Sequence, residues 1–432
     1  MDTATVIARE IQMLQPELEV CPGLWEMFRQ CFLNTIETTV QQSPGDTFVI
    51  TGDIPAMWLR DSTAQVLHYL RFADQPEVAD MIEGLLSRQA DCILRDPYAN
   101  SFNREAISGS PHNRDLPKVS EWVWERKYEI DSLCYPLWLA EKYHAKTGST
   151  GFLTEKFAEA MRSVIRVFRT EQDRVTSPYY FIRTDCPPSD TLTCEGRGEP
   201  VAVTGMTWSG FRPSDDACKY GYLIPSNLFA VRALQSAAML AKQLGDEALA
   251  AEASALGAEI MAGIARHGIV EHPVHGRMYA YEVDGFGNIN LMDDANVPSL
   301  LSLPYLEVCG KEDPLYRSTR AFVLSDENPY FYRGTLAEGI GSPHTPQGYI
   351  WPIALCVQAM TSTDIREIAG ILKTLMLTHG GTRFMHESFD PNAPEQFTRS
   401  WFAWANSMFG ELIFRLHEEG ILPQVIRETM AE

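Results

Sequence analysis

The stretch ALQSAAMLAKQLGDEALAAEASALGAEIMAGIARHG, residues 233–268, restricts the fold more than any other part of the chain. Apolar residues recur at helical spacing on both sides of Gly245-Asp246, a helix breaker followed by a capping residue. The stretch therefore reads as two helices folded back on one another. Amphipathic patterns of the same period occur at 24–40, 59–72, 77–94, 128–146, 152–171, 313–323, 364–378 and 402–418. Strand-like pieces are few and short: TFVIT (47–51), YYFIRT (179–184) and RMYAYEV (277–283). Such a chain buries its apolar stripes helix on helix. The absence of self-similar short repeats argues against a solenoid. The expectation is an all-α chain whose helices, in up-and-down pairs, form an α/α toroid.

Between the helices lie irregular segments at 41–58, 98–120, 172–224, 268–298, 325–350 and 379–400, rich in Gly, Pro, Asp and aromatic residues. Loops this long usually carry function, and they are expected to gather as a pocket at one end of the toroid. No Ser/Gly or charge-run linker divides the sequence, so residues 1–432 read as a single domain.

Composition narrows the partners. The net charge of −21 repels nucleic acid and anionic membranes, so neither is expected to bind. No apolar run approaches the ~20 residues that span a bilayer, and MDTATVIAREIQML does not have the pattern of a signal peptide. Nine scattered cysteines, odd in number and without CxxC spacing, read as free thiols in a reducing cytoplasm. The sequence sets no oligomeric state.

Five loop segments share one chemistry. TGDIPAMWLRDSTAQ holds Asp53, Trp58, Arg60, Asp61 and Gln65. EWVWERKYEIDS holds Glu121, Trp122, Trp124, Glu125, Glu129 and Asp131. TWSGFRPSDDAC holds Trp208, Arg212, Asp215 and Asp216. MDDANVPSL holds Asp293, Asp294 and Asn296. The segment from Met385 to Asn406 holds His386, Glu387, Arg399, Trp401 and Trp404. Each sets a carboxylate or amide beside an aromatic ring at an expected helix entrance. Sugars ask for that combination, because hydroxyls want planar polar partners and pyranose C–H faces want rings. Any one segment also reads as a helix cap with a paired Arg, but five together do not. Other chemistries find little support. GRGEP and GIGSPHTPQG do not follow a strand as a dinucleotide fingerprint or P-loop would, and HExxH and GxSxG are absent. His272 and His275 in EHPVHGRMY read as a surface turn rather than a metal site.

The motifs TGDIPAMWLRDSTAQV, TWSGFRPSDDAC with the following YGYLIPSN, and MHESF resemble those of glycoside hydrolase family 125, the exo-acting α-1,6-mannosidases. The likeness runs from about residue 20 to about residue 420. It implies an (α/α)6 barrel, a mannose-containing oligosaccharide as substrate, and hydrolysis with inversion and without metal or organic cofactor. It also implies an Asp acid within SDD and, as base, Glu387. Two adjacent carboxylates resist ionising together, with Arg212 expected to keep one of them charged. Asp215 is preferred as the acid on the family's acid-to-base spacing, with Asp216 the alternative. Asp53, Trp58, Arg60, Asp61, Trp124, Trp208, Arg212, Asp216, Asp294, Asn296, His386 and Arg399 are the expected sugar-binding residues. A sugar epimerase is the alternative on the same scaffold, but it would use paired His where this chain offers carboxylates. An α/α-barrel glycosidase of different linkage specificity is a further alternative, and a non-catalytic glycan-binding protein would lack the acid or base.

Overall fold

The structure is a computed structural model that describes residues 2–107 and 111–431; residues 108–110, within the irregular segment 98–120, lie outside it. Helix accounts for 48% of the chain. The chain groups into two compact units: 1–40, 64–81 and 292–432 form one, and 41–63 and 82–291 the other.

The 41–63/82–291 unit is organised around the helix Ile224–Gln243, against which Ile130–Thr147 and Glu247–His267 both pack. The last two are the expected hairpin. Gly245 turns the chain at φ +73, and the Asp246 side chain accepts a hydrogen bond from the Leu249 N–H, capping the second helix. Leu249, Ala253, Leu256, Ile260 and Ile264 form its buried stripe. Each fully buried Leu or Ile side chain there contributes about 1.5–3 kcal/mol. By length and mean hydropathy Glu247–His267 is also sufficient to cross a bilayer, contrary to the expectation that no apolar run is long enough, although 44% of its apolar window is buried against the protein.

This unit also holds a small antiparallel sheet, Met57–Trp58, Ser101–Phe102 and Val123–Glu125, in which Trp58 pairs with Ser101 and Ser101 with Glu125. Its strands bring three distant loops side by side. RMYAYEV splits into two strands, Gly276–Tyr279 and Glu282–Val283. YYFIRT is not a strand; Ile182 makes an isolated bridge to Leu116.

The other unit pairs the helix Leu24–Thr38 with Ala403–Glu418, and Ile365–Leu377 with Leu422–Ala431. Phe28, Phe32, Phe72 and Phe414 form an aromatic core with ring centroids 5.1–6.2 Å apart. The helix Pro352–Met360 was not expected. Nearly every residue in it is buried, so it lacks the polar face that an amphipathic pattern needs. The expected helix 59–72 is broken into Leu59–Ala64 and a 3₁₀ segment, Leu67–Phe72. Residues 388–398 form a hairpin, Ser388–Asp390 against Ala393–Thr398, joined to Ile350 through Phe389.

Candidate active site

The segment FRPSDDA is a tight hairpin, not the helix entrance expected of it; the next helix begins at Ile224. Phe211 bridges Ala217, the Asp215 N–H donates to the Arg212 carbonyl (2.9 Å), and the Arg212 N–H donates to the Asp216 carbonyl (2.8 Å). Pro213 presets the turn, and Asp215 closes it in the left-handed region at φ +69. That conformation costs an L-residue about 1–2 kcal/mol, less for Asp and Asn than for most. The side chain is clamped in return. Its Oδ1 accepts from Trp58 Nε1 (3.3 Å) and Asn100 Nδ2 (3.1 Å), and the Asp215 carbonyl accepts from Lys127 Nζ (2.8 Å).

Beneath Asp215 lies a buried charge cluster centred on Arg60. Its guanidinium reaches Asp61 at 2.7 Å, Asp131 at 3.0 Å, Glu129 at 3.3 Å and Asp215 at 3.5 Å. The small sheet explains the convergence. Trp58 ends its first strand and leads into Arg60 and Asp61; Asn100 precedes the second. The third leads to Glu129 and to Asp131 in the first turn of Ile130–Thr147. The Glu129 and Asp131 side chains are fully buried, whereas 26% of the Asp215 side chain is exposed. Four carboxyl groups thus share one guanidinium. Burial works against the Arg60 charge, but the carboxylates of Glu129, Asp61, Asp215 and Asp131 outweigh it and hold it protonated. For Glu129, burial raises the carboxyl well above its usual range, and Asp215 and Asp131 add to this against Arg60. Burial likewise takes Asp131 up to about 7 despite Arg60. The like-charge crowding expected from Asp216 is supplied here by Glu129 and Asp131.

Other expectations for this unit are corrected. Arg212 Nε donates to the fully buried Glu282 (2.7 Å), so its charge is committed there and not to the aspartates. Trp208 is a core residue rather than a sugar platform. The Arg174 guanidinium lies 4.0 Å over its ring, Tyr128 stacks at 6.4 Å, and a Cβ at Gly221 would come within 1.9 Å of its Nε1. Trp124 is half-buried beside His112, Asp53 is exposed, and Asp216 is buried.

In the 1–40/64–81/292–432 unit, Glu387 stands at the head of the 388–398 hairpin. Its Oε1 lies 3.3 Å from Arg399 Nε, and Arg399 takes φ +52 at the other end of that hairpin. Two residues before Glu387, Met385 is fixed from two sides: its N–H donates to Asn406 Oδ1 (2.8 Å), and its carbonyl accepts from the Phe402 N–H (2.9 Å). His386 is buried, stacked on Phe397 at 3.7 Å, with ring nitrogens 3.0 and 3.1 Å from the carbonyls of Arg399 and His379. Burial lowers its pKa. It braces the loop that carries Glu387 and does not offer sugar a free face. Asp294 Oδ1 accepts from the Asn296 N–H and Nδ2, both residues buried. Asp293 caps the backbone of Leu300 and Leu301, the bland reading of that motif, with burial pushing its carboxyl up to about 8.

Asn100 was missed from sequence, and Glu129 and Asp131 were noticed without being assigned to the site. The available signal was the i, i+2 acidic pair at the mouth of the helix Ile130–Thr147.

Residues 22–414 match the family model described as metal-independent α-mannosidase (GH125). A Streptococcus pneumoniae metal-independent α-mannosidase, solved as a non-productive complex with α-1,6-mannobiose, is 45% identical. The match covers 95% of this chain and 98% of that one, with a TM-score of 0.93. The "Meiotically up-regulated gene 157 protein" of Schizosaccharomyces pombe is 40% identical over 95% of this chain and 86% of its own length. A bacterial glucoamylase solved with acarbose is 12% identical, with a TM-score of 0.59 over 93% of this chain and 57% of that one, a likeness of fold alone.

Proposed function

The chain belongs to glycoside hydrolase family 125, the metal-independent α-mannosidases, and on that premise we propose that it releases non-reducing terminal α-1,6-linked mannose from oligosaccharides, with inversion, using Asp215 as general acid and Glu387 as general base. The observation that carries this reading is the cluster around Asp215. Crowded carboxyls sharing one guanidinium retain protons at neutral pH, and Asp215 is the member with a solvent-facing edge. Glu387, beside Arg399, has the charge partner that a carboxylate takes.

In the proposed reaction the Asp215 proton passes to the glycosidic oxygen as the bond to C1 breaks. Glu387 takes a proton from the water that attacks C1 on the opposite face. Inverting enzymes place such carboxyls roughly 6.5–9.5 Å apart to admit that water. Trp58, Trp124, Asp53, Asp61 and Asp216 are proposed to hold the terminal mannose, together with Asp294, Asn296 and Arg399. The α-1,6 linkage is supported by the relative solved with α-1,6-mannobiose. The proposal extends to a closed (α/α)6 barrel as one catalytic domain over residues 1–432, with its long loops at one end. The interleaving of the two units along the chain and the likeness to the pneumococcal enzyme support it. The nine free thiols support a cytoplasmic location.

The test is proton NMR at early times on a panel of α-linked mannobioses. β-Mannose is expected to appear first, and from the 1,6-linked disaccharide. α-Mannose appearing first overturns inversion, and faster cleavage of another linkage overturns the specificity.

A further inference from the structure

Glu129 and Asp215 are the two carboxyl groups that meet at Arg60 Nη2, at 3.3 and 3.5 Å, and the nearby Asp215 adds to the burial-driven rise of the Glu129 carboxyl. Two carboxyls crowded at one guanidinium nitrogen resist ionising together, and a proton held between them relieves that cost. The pair is asymmetric. The Glu129 side chain has no exposure, and its Oε2 accepts from Ser132 Oγ at 2.8 Å, whereas Asp215 keeps an open edge. We propose that Glu129 is a positioning residue that shares one proton with Asp215 and thereby keeps Asp215 loaded as an acid at neutral and mildly alkaline pH. This rests on the reading of Asp215 as the general acid.

The groups facing the pair come from every surrounding element. Arg60 and Asp61 belong to the helix Leu59–Ala64, and Asp131 to the same helix as Ser132. Lys127 holds the Asp215 carbonyl, Asn100 donates to Asp215, and the half-buried Cys218 thiol lies near Glu129. Lys127 is committed to Glu125 and Asp190 as well, so Arg60 is the cation the pair shares. Proton balance is simple. The pair gives one proton to the leaving oxygen and regains one from solvent at the open edge of Asp215. The proton that Glu387 removes from water and passes back to solvent closes the cycle. Such a pair titrates as a unit.

The test is Glu129→Gln, which fills the same space and still accepts from Ser132 but cannot share the proton. The alkaline limb of kcat/KM on α-1,6-mannobiose is expected to fall by about 1–2 pH units. The rate on 2,4-dinitrophenyl α-mannoside, whose leaving group needs no acid, is expected to stay within twofold. An unmoved alkaline limb, or equal loss on both substrates, overturns the proposal. Should Glu129→Gln fail to fold, Glu129→Asp, which retracts the carboxyl, is expected to move the limb in the same direction, and an unmoved limb there overturns it equally. Asp215→Asn separates this idea from its premise. Full activity of that variant on the disaccharide removes Asp215 as the acid. Loss on the disaccharide but not on the aryl mannoside, with Glu129→Gln unshifted, removes only the shared proton.

Discussion

Two buried ion clusters in this protein use the same functional groups in opposite proportion. Around Arg60, four carboxyls share one guanidinium. Around Glu411, one carboxylate is held by two guanidinium groups, Arg71 at 3.0 Å and Arg415 at 2.6 Å, with Arg71 also lying 4.3 Å over the Phe414 ring. Burial opposes ionisation of Glu411 too, yet Arg71 and Arg415 outweigh it and bring the carboxyl down to about 2. The neighbouring His68 is buried to a pKa of about 3 and adds no charge. The second cluster is a settled ion pair that ties an arginine of the 3₁₀ segment Leu67–Phe72 to the helix Ala403–Glu418. The first is frustrated, and on the proposed reading that frustration is what stores a proton. The count of cations per carboxylate separates the two clusters, where burial alone does not.

The largest expected effect comes from Asp215→Asn. It removes one ionisable carboxyl from the crowded cluster and keeps an acceptor for Trp58 and Asn100. Turnover of α-1,6-mannobiose should fall by ~10²–10⁴-fold, while stability to urea rises by about 0.5–2 kcal/mol. An active or destabilised variant breaks the contrast with Glu411.

Arg60→Met should come next. It leaves four carboxyls without their cation and should cost about 3–5 kcal/mol at pH 7. Asp131 is raised in the folded state from 3.8 to about 7, so the environment favours its protonated form. Its contribution is intact below about pH 4 and is lost as pH rises toward 7. The deficit of the Arg60 variant should therefore shrink when unfolding is repeated at pH 5; a deficit that grows would contradict the crowding.

Glu411→Gln should destabilise by about 3 kcal/mol at pH 7 with kcat unchanged. The wild-type carboxylate is depressed from 4.5 to about 2, so its contribution is complete above about pH 4.5 and fades as pH falls toward 2. Melting curves of the two proteins should accordingly converge in acid, because the Glu411 contribution is lost as pH falls, whereas that of Asp131 is lost as pH rises. The smallest effect is expected from Trp58→Phe. It deletes one hydrogen bond to Asp215 and keeps the ring, for a loss of about 1 kcal/mol, or ~5-fold in kcat/KM. A loss as large as that of Asp215→Asn would mean that Trp58 does more than orient the acid.

Much of this was legible in the sequence, for reasons the structure makes plain. Helices with one wet face announced themselves, as in Glu155–Thr170 and Glu247–His267. Pro352–Met360 did not, because a helix buried all round has no period to read. Trp58, Arg60, Asp61 and Asp215 were picked out as polar groups beside aromatic rings. Their gathering with Asn100, Glu129 and Asp131 was hidden, since it depends on strands of two or three residues, too short to leave an alternating pattern. Trp208 was misread because an aromatic in a polar motif looks the same whether it faces sugar or, as here, an arginine and a tyrosine of the core.

The backbone at Asp215 sets the range of replacements that position tolerates. A left-handed residue closing a three-residue turn admits Gly, Asn and Asp with little penalty and resists the rest. Of those three, Asp alone carries an ionisable proton. If Asp215 is the acid proposed above, the turn selects the chemistry before any substrate arrives, and an engineer wishing to lengthen this side chain to Glu would have to redesign the hairpin first. The same logic offers a filter for distant homologues: an inactive relative should betray itself at this position by Gly or Asn, the replacements the backbone accepts without protest.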